Sequence, residues 1–264
     1  MDGNGCDMKH GETGQDSQLT GGLMNRPTVS WNSPVWGVAG PRYWRHVFLP
    51  ALALALAGLA ALSIDVPLSR RAIAINNAGP ENGARALRPI RELLEMSETF
   101  GHGIGVAMLA VAVFMLDPAR RPAIPRLLTV TYGAGLAANI GKLLIARTRP
   151  SGFDLASGNV WQTFEAPFPF GAGGSSLQSF PSAHTATAVA FALLLSCLYP
   201  HARRLFIALA VLVALQRLQC GAHFLSDICG GAAVGWFVTV ASFRFAPFTR
   251  LMDRLERRWA KSKR

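Results

Sequence analysis

The sequence is short of charged residues. Only 16% of its 264 residues are Asp, Glu, Lys or Arg, half are hydrophobic, and the mean hydropathy is positive. An ordinary soluble domain carries about 25% charged residues, which it places on its surface. The shortage therefore argues against a soluble domain and favours a membrane protein.

Acidic residues are the scarcer kind of charge, with 15 Asp and Glu against 26 Lys and Arg, so the net charge is +11. Such an excess is also found in proteins that bind nucleic acids. Here, however, the basic residues lie mostly between apolar runs and near the C-terminus, and no basic patch is interleaved with aromatic residues. We therefore expect no nucleic acid among the partners.

Cysteine is nearly absent, and its four copies form no Cys-x-x-Cys pair. Their spacing leaves the redox compartment of the protein open. Three of the cysteines lie in or beside apolar runs, where they are interpreted as small buried hydrophobic residues. The four are Cys6, Cys197, Cys220 and Cys229.

The chain divides by composition into three parts. Residues 1–40 are rich in Gly, Asn, Gln, Ser and Thr and predict a disordered tail. Residues 41–247 contain six apolar runs of roughly spanning length, and 248–264 form a basic tail. The sequence thus predicts an all-α integral membrane protein, a bundle of about six transmembrane helices. The predicted spans are Val47–Ile64, His102–Leu116, Ile124–Ala146, Ser182–Leu198, Leu205–Leu218 and Phe224–Phe243.

Two segments allow further interpretation. The first apolar run could be a cleaved signal peptide, but its length favours an uncleaved anchor. Between the first two spans, Arg85–Glu98 places apolar residues at near-helical spacing among charged ones, which predicts an amphipathic helix at the membrane interface.

The distribution of Lys and Arg predicts the orientation. With six spans and a cytoplasmic N-terminus, the cytoplasmic segments hold 16 of these residues and the opposite segments hold 7. Both termini are then cytoplasmic, and the basic tail anchors the chain to anionic headgroups. We expect the membrane to be a bacterial inner membrane.

Ionisable residues at the ends of predicted spans mark a functional site, because such residues are costly in lipid. Lys142 and Arg149 are seven residues apart, which would place them two turns along one helix face. Taken alone, they could be basic anchors that reach the interface.

The start of the fourth predicted span adds an anion-binding motif. Pro181 and Ser182 are typical of a helix start, whose free N–H groups bind anions, and His184 lies in the same first turn. A plain helix cap would not require that histidine.

The last two spans contribute Arg217, His223 and Asp227. His223 and Asp227 are four residues apart, so the carboxylate can hold one ring nitrogen and leave the lone pair of the other free. For this pair alone, a structural bridge and a catalytic role are equally compatible with the spacing. The predicted topology, however, brings all these residues to one outer face, which favours a site.

These residues resemble the three motifs of the type 2 phosphatidic acid phosphatase (PAP2) superfamily, which also contains vanadium haloperoxidases and glucose-6-phosphatase. The motifs run from Lys142 to Arg149-Pro150, from Pro181 to His184, and from Arg217 through His223 to Asp227. The resemblance covers about residues 100–240. Ala183 replaces the usual Gly, and Gln216 replaces the usual Ser.

The resemblance implies a membrane phosphatase that acts on lipid phosphate monoesters or polyprenyl pyrophosphates. His223 would form a phosphohistidine, Asp227 would orient His223, and His184 would serve as general acid and base. Lys142 would bind the phosphoryl oxygens together with Arg149, Ser182, the Ala183 N–H and Arg217. The expected partners are the lipid phosphate and the membrane, with no metal and no cofactor; the oligomeric state stays open.

Two other functions remain as alternatives. A haloperoxidase would hold vanadate in the same pocket, although the predicted spans argue against it. A lipid-phosphate binder or transporter would use the same cations without chemistry, although the intact histidines argue against it. His102 could line the site but is interpreted as an interfacial residue, and the aromatic loop 150–180 is interpreted as an interfacial belt or a lipid-tail site.

Overall fold

A computed structural model describes residues 31, 42–77, 84–168 and 174–261. The protein is mainly helical over these residues. Apart from Trp31, the tail predicted for 1–40 lies outside them. The helices are α1 (Arg42–Ala61), α2 (Asp65–Asn77), α3 (Ala84–Gly101), α4 (Gly103–Leu116), α5 (Ile124–Lys142), α6 (Ala183–Leu198), α7 (Arg203–Gln219), α8 (Leu225–Ser242) and α9 (Ala246–Lys261).

Helix α6 lies at the centre and packs against α5, α7 and α8, while α1 lies along α8. The central position of α6 agrees with its sequence, since most of its residues are Ala, Leu, Phe or Thr. Phe191 is fully buried, and its ring lies 5.1 Å from that of Phe100 on α3. This core fixes the ends of the helices that carry the predicted site.

Each predicted span contains one helix, but the number of spans stays a prediction. Judged by length and hydropathy, α8 qualifies as a span among the described residues. The number rises to three if each of two bent pairs is one span: α1 with α2, bent by 81°, and α3 with α4, bent by 73°.

Large apolar side chains are exposed on several of these helices. On α5, Tyr132, Leu136 and Ile140 recur every four residues and point outward, and α1, α4 and α7 expose similar rows. Exposed apolar surface of this extent is typical of contact with lipid rather than water.

The sequence prediction was wrong about the third span beyond Lys142. The chain leaves the helix there and forms β1 (Ile145–Arg147), which pairs antiparallel with β2 (Phe164–Pro167). The backbone after α5 is hydrogen-bonded to β2 and to the residue that follows it, for example from the Phe168 N–H to the Leu144 carbonyl at 2.8 Å. A helical continuation would give up these bonds.

The helix predicted for Arg85–Glu98 is confirmed as α3. Two further helices, α2 and α9, were not predicted. Helix α9 occupies most of the segment that was interpreted as a basic tail. It packs on the bundle through Met252 and Glu256, and both of these residues are buried.

Candidate active site

His223 lies in the short connection between α7 and α8, and its side chain is only 2% exposed. The chain turns at Gly221, whose positive φ of 67° is a conformation that residues with a Cβ rarely adopt. The His223 N–H then donates to the Arg217 carbonyl at 3.2 Å. This turn places the imidazole close to the first turn of α8.

The Nδ1 atom of His223 lies 3.8 Å from Oδ2 of Asp227, which is longer than a hydrogen bond but allows direct electrostatic contact. Burial lowers the pKa of His223, while the Asp227 carboxylate acts in the opposite direction. The histidine is therefore neutral at pH 7, and its Nε2 is the nitrogen that can present a lone pair.

Asp227 is fully buried and held by three donors. Oδ2 accepts hydrogen bonds from the Phe224 N–H at 2.8 Å and from the Ser179 hydroxyl at 2.6 Å, and Oδ1 accepts from Nη1 of Arg147 at 2.5 Å. A carboxylate with this many donors remains ionised and has a fixed orientation.

Arg147 is a site residue that sequence reasoning missed. It ends β1, has no exposed surface, and contacts Asp65 as well as Asp227. Its position five residues after Lys142 did not indicate a role in the site, because an Arg between a membrane span and a loop is usually interpreted as an interfacial anchor.

The three predicted phosphate-binding cations are held on separate elements. Lys142 ends α5, Arg149 precedes the short 3₁₀ helix Pro150–Gly152, and Arg217 lies in the last turn of α7. Lys142 interacts electrostatically with the two arginines and with Asp227, so the three cations lie near one another. The expectation that Lys142 and Arg149 share a helix face was wrong, since β1 separates them.

One hydrogen-bond donor of Arg149 is available to a ligand. Among the residues that the structure describes, its buried Nε has no hydrogen-bond partner. A buried guanidinium donor without a partner is costly, and an anion would satisfy it.

The start of α6 joins this region. Ser182 caps the helix, and its hydroxyl oxygen accepts a bond from the Thr185 N–H at 3.4 Å. Its own N–H donates to the Asp227 carbonyl at 3.0 Å, which ties the start of α6 to α8. Ala183 and His184 form the first turn, where helix geometry leaves N–H groups available to an anion.

His184 lies within electrostatic range of both His223 and Arg217. Its side chain is about 29% exposed, in contrast to the buried His223. One histidine is thus enclosed among the cations and the other is open to the surroundings.

A pocket of about 320 Å³ adjoins His184 on the side of α4 and α5. His102, the cap of α4, lines this pocket, and its ring lies 5.8 Å from that of His184. The structure therefore places His102 beside the site rather than apart from it. The other lining residues are Gly101, Gly103, Tyr132, Gly135, Leu136, Asn139, Ala183 and Thr187.

Glu98 is a second residue that sequence reasoning did not place in the site. Its Oε2 lies 2.6 Å from Nη2 of Arg217 and accepts a 3.1 Å bond from Nε2 of Gln216. Gln216 in turn accepts a 2.5 Å bond from Nε of Arg217. The Gln that replaces the usual Ser thus has a partner of its own on α3.

The aromatic loop divides between the site and the surface. Phe164 packs against the Arg147 guanidinium, with 4.6 Å from its ring centre to Cζ, whereas Trp161 and Phe168 are largely exposed. Phe170 lies outside the described residues.

The chain is similar to proteins of known family. The PAP2 superfamily model matches residues 123–250. A lipid A 1-phosphatase of Rhizobium johnstonii is 31% identical over 205 residues, which cover 70% of this chain and 80% of that protein. A lipid A 1-phosphatase of Rhizobium etli is 34% identical over 140 residues, or 52% and 57% of the two chains.

Two solved structures are also similar. The PAP2-type phosphatidylglycerolphosphate phosphatase of Bacillus subtilis has a TM-score of 0.48 and 22% identity, and the match covers 76% of this chain and 94% of that one. LpxE of Aquifex aeolicus has a TM-score of 0.45 and 20% identity, with 69% and 96% covered. The chain belongs to the PAP2 superfamily, and the two curated relatives described above are named as phosphatases.

Proposed function

We propose that this protein is a membrane lipid phosphatase that removes a phosphate monoester group through a phosphohistidine at His223. The observation that carries the proposal is the buried pair of His223 and Asp227, with a neutral imidazole facing a fully hydrogen-bonded carboxylate among three cations. The family membership supports the same chemistry.

In the first step, the Nε2 lone pair of His223 attacks phosphorus and the bond to the leaving oxygen breaks. His184 donates a proton to that oxygen. Its exposed position, next to the pocket, suits a group that meets the departing alcohol. In the second step, His184 takes a proton from water, the water oxygen attacks phosphorus, and the bond to His223 breaks to release inorganic phosphate.

Lys142, Arg149 and Arg217 would neutralise the phosphoryl oxygens, with the Ala183 N–H and the Ser182 hydroxyl as further donors. Phosphoryl transfer depends mainly on such positioning and charge stabilisation. Asp227 would stabilise the positive charge that develops on the ring of His223 during attack.

For the substrate, we propose a lipid that carries a sugar 1-phosphate, as in lipid A, because the two curated relatives are named lipid A 1-phosphatases. Sugar hydroxyls could be met by the polar side chains of the pocket, which include Tyr132, Asn139 and Thr187. Phosphatidic acid, phosphatidylglycerophosphate and undecaprenyl pyrophosphate present the same phosphoryl group and are the substrates to compare.

The test is phosphate release from these four lipids by detergent-purified protein, with and without a chelator. We expect release from lipid A that the chelator does not change, since the proposed mechanism uses no metal. His223→Ala should lower release to background, and His184→Ala should lower it on the order of 10²- to 10⁴-fold. Alkaline quenching of the wild type during turnover should trap a phosphorylated histidine.

His201→Ala is the matched control, because His201 is exposed at the other end of α6. It should leave phosphate release unchanged. Normal turnover by a folded His223→Ala protein would contradict the mechanism, and loss of activity on chelation would contradict the metal-free chemistry.

A further inference from the structure

A buried group of charges lies directly behind Asp227. Arg147 points Nη1 at Oδ1 of Asp227, 2.5 Å away, and Nη2 at Oδ2 of Asp65, 2.8 Å away. Its Nε donates to the Thr163 hydroxyl at 3.1 Å. The side chains of Arg147, Asp65 and Asp227 have no exposed surface. One guanidinium therefore bridges two carboxylates away from solvent.

Asp65 is tied to the same place by a second route. Its Oδ1 accepts a bond from the Ser226 N–H at 3.0 Å, and its Oδ2 accepts one from the Ser226 hydroxyl. Ser226 is the neighbour of Asp227 and also accepts a 2.6 Å bond from Arg147. The first residue of α2 is thereby joined to the first turn of α8.

Aromatic rings enclose the guanidinium. The ring centres of Phe164 and Phe224 lie 4.6 and 4.3 Å from Cζ of Arg147. In such a setting charges are poorly screened, so each charge in the group influences its neighbours strongly.

We propose that Arg147 and Asp65 are positioning residues of the active site: Arg147 fixes the Asp227 carboxylate towards His223, and Asp65 offsets the guanidinium charge so that Asp227 still stabilises a positive imidazole. The inference rests on the proposed role of His223. Asp65 lies outside residues 123–250, so α2 completes a site that the family model covers only in part.

The physical reason is charge balance. An unopposed Arg147 would neutralise Asp227 and leave His223 facing net positive charge from the phosphate-binding residues. With Asp65 present, the two carboxylates outnumber the guanidinium, and net negative charge remains behind the imidazole. The other charged or titratable groups around His223 are Lys142 from α5, Arg149 from the loop after β1, His184 from α6 and Arg217 from α7.

The test follows the protonation of His223 by NMR in detergent with ¹⁵N-labelled histidine, assigned with His223→Ala. Asp65→Asn removes a negative charge and should lower the pKa of His223 by about 1 unit, whereas Arg147→Gln removes a positive charge and should raise it by a similar amount. Opposite shifts support the proposal. No shift, or shifts in one direction, would overturn it.

One variant and its control separate the positioning role of Arg147 from the effect of its charge. Arg147→Lys keeps the charge but lacks the planar fork that holds the two carboxylates in fixed directions, so it should leave the pKa of His223 in place while lowering kcat tenfold or more at a similar KM. Ser69→Ala is the matched control on α2, because the buried Ser69 hydroxyl has no partner among the described residues. It should change neither quantity.

If either single variant fails to fold, the double variant D65N/R147Q removes both charges and should tolerate burial better. In the double variant, the pKa of His223 should stay near its wild-type value. Its kcat should fall because Asp227 is no longer fixed, and a wild-type kcat would overturn the proposal. The NMR titration needs no turnover. Wild-type protein that releases no phosphate therefore refutes the proposed function, whereas unshifted titrations in an active enzyme refute this inference alone.

Discussion

Glu98 brings a carboxylate into contact with Arg217, one of the cations that we assign to the phosphate. Its other oxygen lies 3.8 Å from Nε2 of His184, so it reaches both the proposed anion site and the proposed acid. A phosphate group that binds Arg217 would meet this carboxylate. Two negative groups that contact the same guanidinium repel each other, and this repulsion weakens binding of the phosphate.

We expect Glu98→Gln to strengthen inhibition by inorganic phosphate roughly fivefold. Removal of one partly exposed negative charge relieves repulsion of about 1 kcal/mol. The measurement is the inhibition constant of phosphate against lipid phosphate hydrolysis. Glu95→Gln is the control, since Glu95 lies on the same helix and pairs only loosely with Arg91, 3.7 Å away. Weaker inhibition in Glu98→Gln would instead mean that Glu98 holds Arg217 in place.

Among the helices, α6 and α8 pack against each other, and the Ser182 N–H at the start of α6 donates to the Asp227 carbonyl of α8. Gly231 and Gly235 lie one turn apart on α8, facing the backbone of α6. A Cβ on Gly231 would lie 2.3 Å from the Ser182 carbonyl oxygen, and one on Gly235 would lie 2.4 Å from that of Ala186. Small residues four apart permit this close helix packing in membranes.

Gly231→Ala should therefore push the starts of α6 and α8 apart. We expect a loss of about 1–3 kcal/mol in stability and a lower kcat, because the tie between Ser182 and Asp227 is strained. Thermal unfolding in detergent and phosphate release measure the two effects. Gly133→Ala is the matched control, because no atom lies within 4 Å of a Cβ at that position. Equal behaviour of the two variants would contradict the packing argument.

On the scale of the whole molecule, the residues of the candidate site lie at one end of the bundle. The ends of α5 and α7 and the starts of α6 and α8 all contribute to it, as expected if successive helices run in opposite directions. The positive-inside distribution then predicts that this end faces the periplasm and that α9 faces the cytoplasm.

Cys220 allows a test of this orientation, since it is exposed three residues before His223. In intact cells, a membrane-impermeant maleimide should label Cys220 in a variant without the other cysteines. Arg258→Cys in a background without native cysteines should be labelled only after the cells are opened, because Arg258 is exposed on the predicted cytoplasmic helix α9. The reverse pattern would show that the site faces the cytoplasm.

Much of the architecture could be predicted from the sequence, because it depends on local patterns. Apolar runs indicate helices wherever they fold, and each of the six runs contains one. The helix start at Ser182 is local as well, since its cap uses Thr185 three residues away. The predicted site residues also lie at the same end of the bundle, because alternation of helix direction follows from their order. Their catalytic roles stay predictions.

The remainder depended on the tertiary structure. Arg147 and Asp65 are 82 residues apart, and Glu98 and Gln216 are 118 apart. Neither pair has a local pattern, because their contacts exist only after α2 and α3 have packed against the bundle. The sequence by itself determined the class of protein and the motif residues. Only the fold decided which buried charges stand behind Asp227, because a charge in a low-dielectric interior acts through its three-dimensional neighbours rather than through its place in the chain.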